Sequence, residues 1–181
     1  ATHKGFIDAI DSLSPANPIH LIDMRESIDK LRATKYDEEL LLLKKAIDIT
    51  DQAFEDISVG IKPGLTEAEV SWRLEKSMRE LGAEGLAFDT IVGAGPNGAL
   101  PHHRADDTVI RDGQPVVIDM GAKYEGYCAD LTRTIFVGQP DETFIQIYSI
   151  VLSSQLEAEK QVRSGMTGND TDAISRNVIS D

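Results

Sequence analysis

VVIDMGAKYEGYCADLTRTIFVG, residues 116–138, consists of two apolar arms joined by a short polar turn. Pairing the arms as an antiparallel hairpin symmetric about Tyr124 and Glu125 sets Asp119 opposite Asp130. Directly opposed residues hold their Cβ atoms about 4.5–5.5 Å apart on one face of the sheet. Period-two alternation adds Thr132 to that face and sends Ile118, Met120, Leu131 and Ile135 to an apolar face. Two carboxylates so close repel and partly desolvate each other, which is unfavourable without a cation or a shared proton. A hard divalent cation, or two of them about 3.5–4 Å apart, resolves the conflict. Aspartates near hairpins also serve as turn formers and solvated edge charges, so spacing alone leaves both readings open.

Helical periodicity surrounds the hairpin. Leu43, Ala46, Ile47, Thr50, Phe54 and Ile57 recur at three- and four-residue steps, and Gly60 and Pro63-Gly64 stop that helix. Thr66 and Glu69 form a T-x-x-E capping box for a second helix, with Val70, Leu74, Met78 and Leu81 on one side and Gly82 past its end. Phe88–Val92 reads as a strand and residues 93–107 as a loop. Glu142–Val162 reads as a long helix with Ile145, Tyr148, Leu152 and Leu156 facing inward, and Asn169 or Asp170 caps a last helix. Upstream, residues 5–13 read as a short amphipathic helix and a strand starts at Ile19. Helices, then strands, then a helix predict an α+β fold, an antiparallel sheet with helices packed on one face.

The net charge of −13 repels phosphate backbones and argues against nucleic-acid binding through a basic patch. No apolar run approaches the roughly 20 residues that span a bilayer, and no signal-peptide pattern opens the chain. The single cysteine, Cys128, excludes an internal disulfide, suits a reducing, cytoplasmic compartment and is expected as a small core residue. GAGPNG (residues 93–98) has the glycines of a phosphate loop but neither its Gly-Lys-Ser/Thr ending nor the G-x-G-x-x-G spacing. Pro101-His102-His103-Arg104 lies just upstream of the aspartate hairpin and completes no H-x-x-x-H zinc pattern. The chain begins at Ala1 and stops straight after a helix-like segment, so both ends read as cuts in a longer protein.

IKPGLTEAEV, FDTIVGAGPNGALPHHR, the 116–138 hairpin and ETFIQIYSIVLSSQLEAEKQVRSGMTGND together resemble the pita-bread metallopeptidases, and within them the Xaa-Pro aminopeptidases and prolidases. The resemblance runs from about Tyr36 to the C-terminus. HLIDMRESIDKLRATKYDEEL resembles that family's junction between an N-terminal domain and the catalytic domain. It implies that residues 1–23 are a remnant of an upstream domain and linker, and 24–181 the N-terminal half of the catalytic domain. It further implies a dinuclear site of manganese, cobalt, zinc or iron. Asp119 matches a terminal metal ligand, Asp130 the bridging aspartate and His102 the substrate-contacting histidine. The family's remaining ligands, one histidine and two glutamates, would lie beyond residue 181. The expected activity is hydrolysis of peptides with proline at the second position, as an aminopeptidase or dipeptidase, by a longer parent. This piece is expected to bind metal weakly and to be inactive. Thr132 is expected to orient Asp130, and Arg133, on the opposite face, to make a structural ion pair. An exposed edge or apolar patch and association into a homodimer are expected where the other half is missing. Two alternatives stand beside this: another amidohydrolase of the fold, creatinase-like or ectoine-hydrolase-like, and a non-catalytic pita-bread binding module. Metal-free creatinase need not keep both aspartates, and binding modules usually lose metal ligands, so Asp119 with Asp130 disfavours both.

Overall fold

The computed structural model describes residues 25–180 and, before them, Gly5, Asp8, Ala9, Ile10 and Ser12, which are helical. The helix expected over 5–13 agrees at those residues, and the strand expected from Ile19 lies outside the described residues. The chain divides into two compact units, 1–40 and 41–181. In the first, α1 spans Arg25–Ala33, and the Tyr36 N–H donates to Glu39 Oε2 at 2.8 Å where α2 (Asp37–Ser58) begins.

The second unit holds the rest of α2 and everything that follows. Ala46, Ile49, Thr50 and Ala53 are the buried residues of α2. The stripe is rotated from the expected one: Ile49 enters the core and Ile47 stays 43% exposed. Thr50 also ties the helix to the sheet. Its hydroxyl donates to the Ala46 carbonyl and accepts from the Ala122 N–H, both at 2.9 Å. The α3 helix (Glu67–Glu80) starts at the expected capping box: Thr66 Oγ1 accepts from the Glu69 N–H, and Glu69 Oε2 accepts from the Thr66 N–H. Val70, Leu74 and Met78 are fully buried. Each contributes roughly 1.5–3 kcal/mol of transfer free energy.

Two antiparallel sheets follow. The larger has the order β2 (Ile91–Ala94), β3 (Gln114–Met120), β6 (Leu131–Val137). The smaller has the order β1 (Gly85–Leu86), β4 (Ala122–Tyr124), β5 (Tyr127–Cys128). Val116, Ile118 and Met120 alternate inward along β3 and join Val92, the α3 stripe, Ile49 and Ala53 in one core. The expected strand thus begins at Ile91 rather than Phe88, and Gly95–Ala99 within the expected loop forms a 3-10 helix.

The hairpin turn falls on Glu125 and Gly126, with φ of 44° and 85°. Positive φ at both central residues is the turn whose twist matches the flanking strands. Centring the turn one residue later than the sequence suggested moves the register by two. Asp119 therefore faces Thr132, not Asp130. An even shift preserves the face on which each side chain stands, so both aspartates remain on one side.

Helices α4 (Glu142–Gln161) and α5 (Gly168–Ser180) close the chain. Asp141 caps α4 by accepting from the Phe144 N–H at 2.7 Å. Thr167, not Asn169 or Asp170, caps α5: its hydroxyl accepts from the Asp170 N–H, while Asp170 Oδ2 accepts from the Thr167 N–H. The small side of α4 meets α5 through Ser154, whose hydroxyl donates to the Ser175 carbonyl. Its apolar side is uncovered. Ile145, Tyr148, Leu152 and Leu156, expected inward, are 50%, 44%, 41% and 44% exposed. Phe144 packs at a tilt against Phe136 of β6 with centroids 4.6 Å apart, and beyond that contact lies an open groove between β6 and α4. Among the described residues β6 pairs only with β3, so its other edge is free. This is the apolar patch and edge expected from the sequence.

Candidate functional site

Asp119 stands near the end of β3 between buried Ile118 and Met120, which turns its carboxylate away from the core. Asp130 lies in the connection between β5 and β6. What brings them together is the backbone at Gly121, which presses on Ala129 with no room for a Cβ. The Ala129 N–H donates to the Ala122 carbonyl at 2.9 Å across the same point. Partial desolvation of the carboxyl, then the Asp119 charge, then a hydrogen bond to the Asp119 carboxyl push Asp130 above its ordinary value, although the residue as a whole is exposed and the shift is correspondingly limited. Thr132 Oγ1 donates to Asp119 Oδ1 at 2.8 Å. Thr132 thus steadies Asp119 rather than Asp130. Arg133 donates to the Thr132 carbonyl and, among the described residues, forms no ion pair. Cys128 is exposed, not a core residue.

The facing wall is the segment after the 3-10 helix. Phe88, Ile91, His102, Arg104, Asp119 and Asp130 line a cleft of about 410 Å³. Arg104 and Asp89 face each other at 3.6 Å on its rim with both side chains over four-fifths exposed, a pair worth little energy. The structure therefore gathers His102, Asp119 and Asp130 into one cleft.

A second group adjoins the same wall, with Glu67 buried, His103 half-buried at the cleft and Asp106 exposed. Glu67 is fully buried. It accepts from the Ala94 N–H at 2.7 Å, from Asn97 Nδ2 at 3.0 Å, and faces His103 Nε2 at 2.6 Å. Glu67, His103 and Asp106 could present ligand atoms within 4.8 Å of one another. Yet the Glu67 oxygens are already occupied by protein donors, and Thr108 hydrogen bonds hold the Asp106 carboxyl below its usual range. The group is a closed hydrogen-bond network. Its trace in the sequence is the position of Glu67, three and seven residues before Val70 and Leu74 on the apolar stripe, where a polar group must find partners.

The model of metallopeptidase family M24 matches residues 42–181. The chain belongs to that family. Among M24 relatives, a Xaa-Pro dipeptidase of Pyrococcus horikoshii is 38% identical over 98% of this chain and half of its own length. An uncharacterised peptidase of Bacillus subtilis is 42% identical over 88% of the chain and 45% of its own. Solved M24 structures agree in fold. A Xaa-Pro dipeptidase from Bacillus anthracis superposes with a TM-score of 0.89 at 41% identity, covering 99% of this chain and 50% of that one. The prolidase from P. horikoshii superposes with a TM-score of 0.90 at 38% identity, covering 99% and 51%. The α+β, pita-bread assignment follows, and the chain spans about half the length of the M24 relatives it matches.

The paired aspartates fit the divalent metals of an M24 protein on chemical grounds. They offer only hard oxygen donors, and their mutual repulsion is a cost that bound cations would remove. A pH dependence follows in the metal-free chain. The folded state keeps the Asp130 proton to a higher pH than the unfolded chain does, so it binds more protons between the ordinary aspartate pKa and the raised one. Stability therefore falls as pH rises through that window. Asp130→Asn removes the loss: with chelator present, thermal unfolding should show the variant more stable than the wild type at neutral pH and equal to it in acid. A wild type that outlasts the variant at neutral pH would contradict the pairing.

Proposed function

We propose that this chain supplies the N-terminal half, residues 24–181, of a metallo-exopeptidase that hydrolyses Xaa-Pro bonds, with 1–23 left from an upstream domain. The observation that carries the reading is the convergence of Asp119, Asp130 and His102 on one cleft. The names of the relatives support the substrate class. Asp119 and Asp130 would hold the metals, with manganese, cobalt, zinc or iron as candidates. Metal held by these two carboxylates would supply Lewis acidity, lowering the pKa of a water toward about 7 and polarising the scissile carbonyl. Thr132 fixes the rotamer of Asp119 through its hydroxyl. His102 projects from the opposite wall, where an imidazole can hydrogen-bond the scissile amide and hold or move a proton there.

Two carboxylates provide at most four oxygens, whereas two ions fill roughly ten to twelve ligand positions. The 181-residue chain alone is therefore expected to bind metal weakly and to turn over little substrate. A protein of the relatives' length that carries this sequence should hydrolyse Xaa-Pro dipeptides, lose the activity to chelator and regain it with manganese or cobalt. Activity that survives thorough chelation would overturn the reading.

The uncovered face of α4 supports a further element of it: the 181-residue chain on its own pairs with a second copy. Val151 and Ile147, 52% and 56% exposed on that face, are the test positions. Ile147→Lys with Val151→Lys should turn a dimer into a monomer in sedimentation velocity, and a wild type that is already monomeric removes the idea.

A further inference from the structure

We propose that Glu67 and His103 are positioning residues for His102, forming a buried latch that fixes how the neighbouring imidazole enters the cleft. The proposal rests on the reading of His102 given above. Three observations carry it. First, every close hydrogen-bond partner of the Glu67 carboxyl comes from one stretch of chain: the Ala94 N–H at its start, Asn97 in the 3-10 helix and the His103 ring near its end. The Asp106 N–H makes a longer contact at 3.5 Å. One carboxylate thus pins both ends of the wall that carries His102. Burying a carboxyl group is costly unless its oxygens are hydrogen-bonded, as both are here. An apolar side chain would fill the space equally well without tying the wall.

Second, the two adjacent histidines differ in exposure and in partner. The His103 side chain, 10% exposed, lies against a fully buried Glu67 and reaches only the edge of the cleft, while His102 is exposed and lines it. Holding one ring inward sends the next one outward. Third, the backbone agrees with the latch. The His103 N–H donates to the Leu100 carbonyl at 3.1 Å, closing a four-residue turn with Pro101 and His102 at its centre. Proline fixes φ at the first central position, so the turn, the proline and the buried pair together leave His102 little freedom.

The test uses a metal-loaded protein of the relatives' length carrying this sequence. His103→Leu removes the donor; His103→Gln keeps an N–H at a similar reach. Misplacing a group that acts on the substrate by about 1 Å costs on the order of 100-fold in rate. We expect that loss in kcat for H103L on a Xaa-Pro dipeptide, with bound metal unchanged and most of the rate restored in H103Q. In an H102A background H103L should have no further effect. Hydrogen exchange should rise over residues 94–106 in H103L and stay unchanged over 114–120. An H103L loss of the same factor with and without His102, H103Q as impaired as H103L, or unchanged exchange over 94–106 each overturns the latch. If H102A itself leaves turnover intact, the role given to His102 falls and the positioning proposal falls with it; an inactive H102A with an additive H103L loss sinks the latch alone.

Discussion

Asp119→Ala, in a protein of the relatives' length, is expected to abolish hydrolysis of Xaa-Pro dipeptides and to lower bound metal per chain while the fold survives. Three effects combine. The variant loses up to two ligand oxygens. It leaves the Thr132 hydroxyl without the carboxylate it now serves at 2.8 Å. It also removes the charge and hydrogen bond that help raise Asp130, so that residue returns toward its ordinary ionisation. None of these touches the core, because Ile118 and Met120 on either side of Asp119 remain buried. Turnover should therefore fall by about three orders of magnitude or more, the scale on which a member of a catalytic unit acts, while with chelator present the variant melts no lower than the wild type. Steady-state rates and metal analysis on one preparation check it. Retained turnover with full metal content would remove Asp119 from the site.

The same pair of residues shows what the sequence could and could not deliver. That Asp119 and Asp130 share a face was legible, because alternation along a strand survives any even error of register. That Asp119 faces Thr132 was not. It depends on Glu125 adopting φ of 44°, a conformation a glutamate rarely takes, while the glycine beside it marked the turn's true centre. Helix α3 was legible to its caps because both ends carry local chemistry, Thr66 with Glu69 at one and Gly82 at the other. The outward face of α4 was hidden for the opposite reason. Its apolar spacing is genuine, but periodicity names a face to be covered and not what covers it. Glu67 was missed because capping logic treats a first-turn glutamate as a solvated charge, and only its place on the Val70–Leu74 stripe argues otherwise.

Gly121→Ala is expected to damage stability and the candidate site together, and it separates space from conformation as the reason for a glycine. The backbone at 121 is not in the left-handed region, so alanine meets no torsional penalty there. It meets atoms instead. A Cβ would press on the Ala129 carbonyl oxygen, lie 2.9 Å from the Ala129 carbonyl carbon and 3.1 Å from Ala87 Cβ. Two of these are backbone atoms that cannot swing aside. The neighbouring segments are also fixed, since the Ala87 N–H donates to the Gly121 carbonyl at 2.8 Å and the Ala129 N–H to Ala122 at 2.9 Å. Relief requires Ala129 and Asp130 to move away from β3, which draws Asp130 off Asp119. Overpacking of this kind costs about 1–3 kcal/mol, and the rigid partners place this case at the upper end or beyond. Gly85→Ala is the matched control: on this half-buried strand residue a methyl group would meet no neighbouring atom within 4 Å, so little change is expected. Denaturant midpoints and metal content of the two variants decide the matter. If Gly121→Ala kept both at the wild-type values, the close crossing of the two arms would not be what holds the aspartates together.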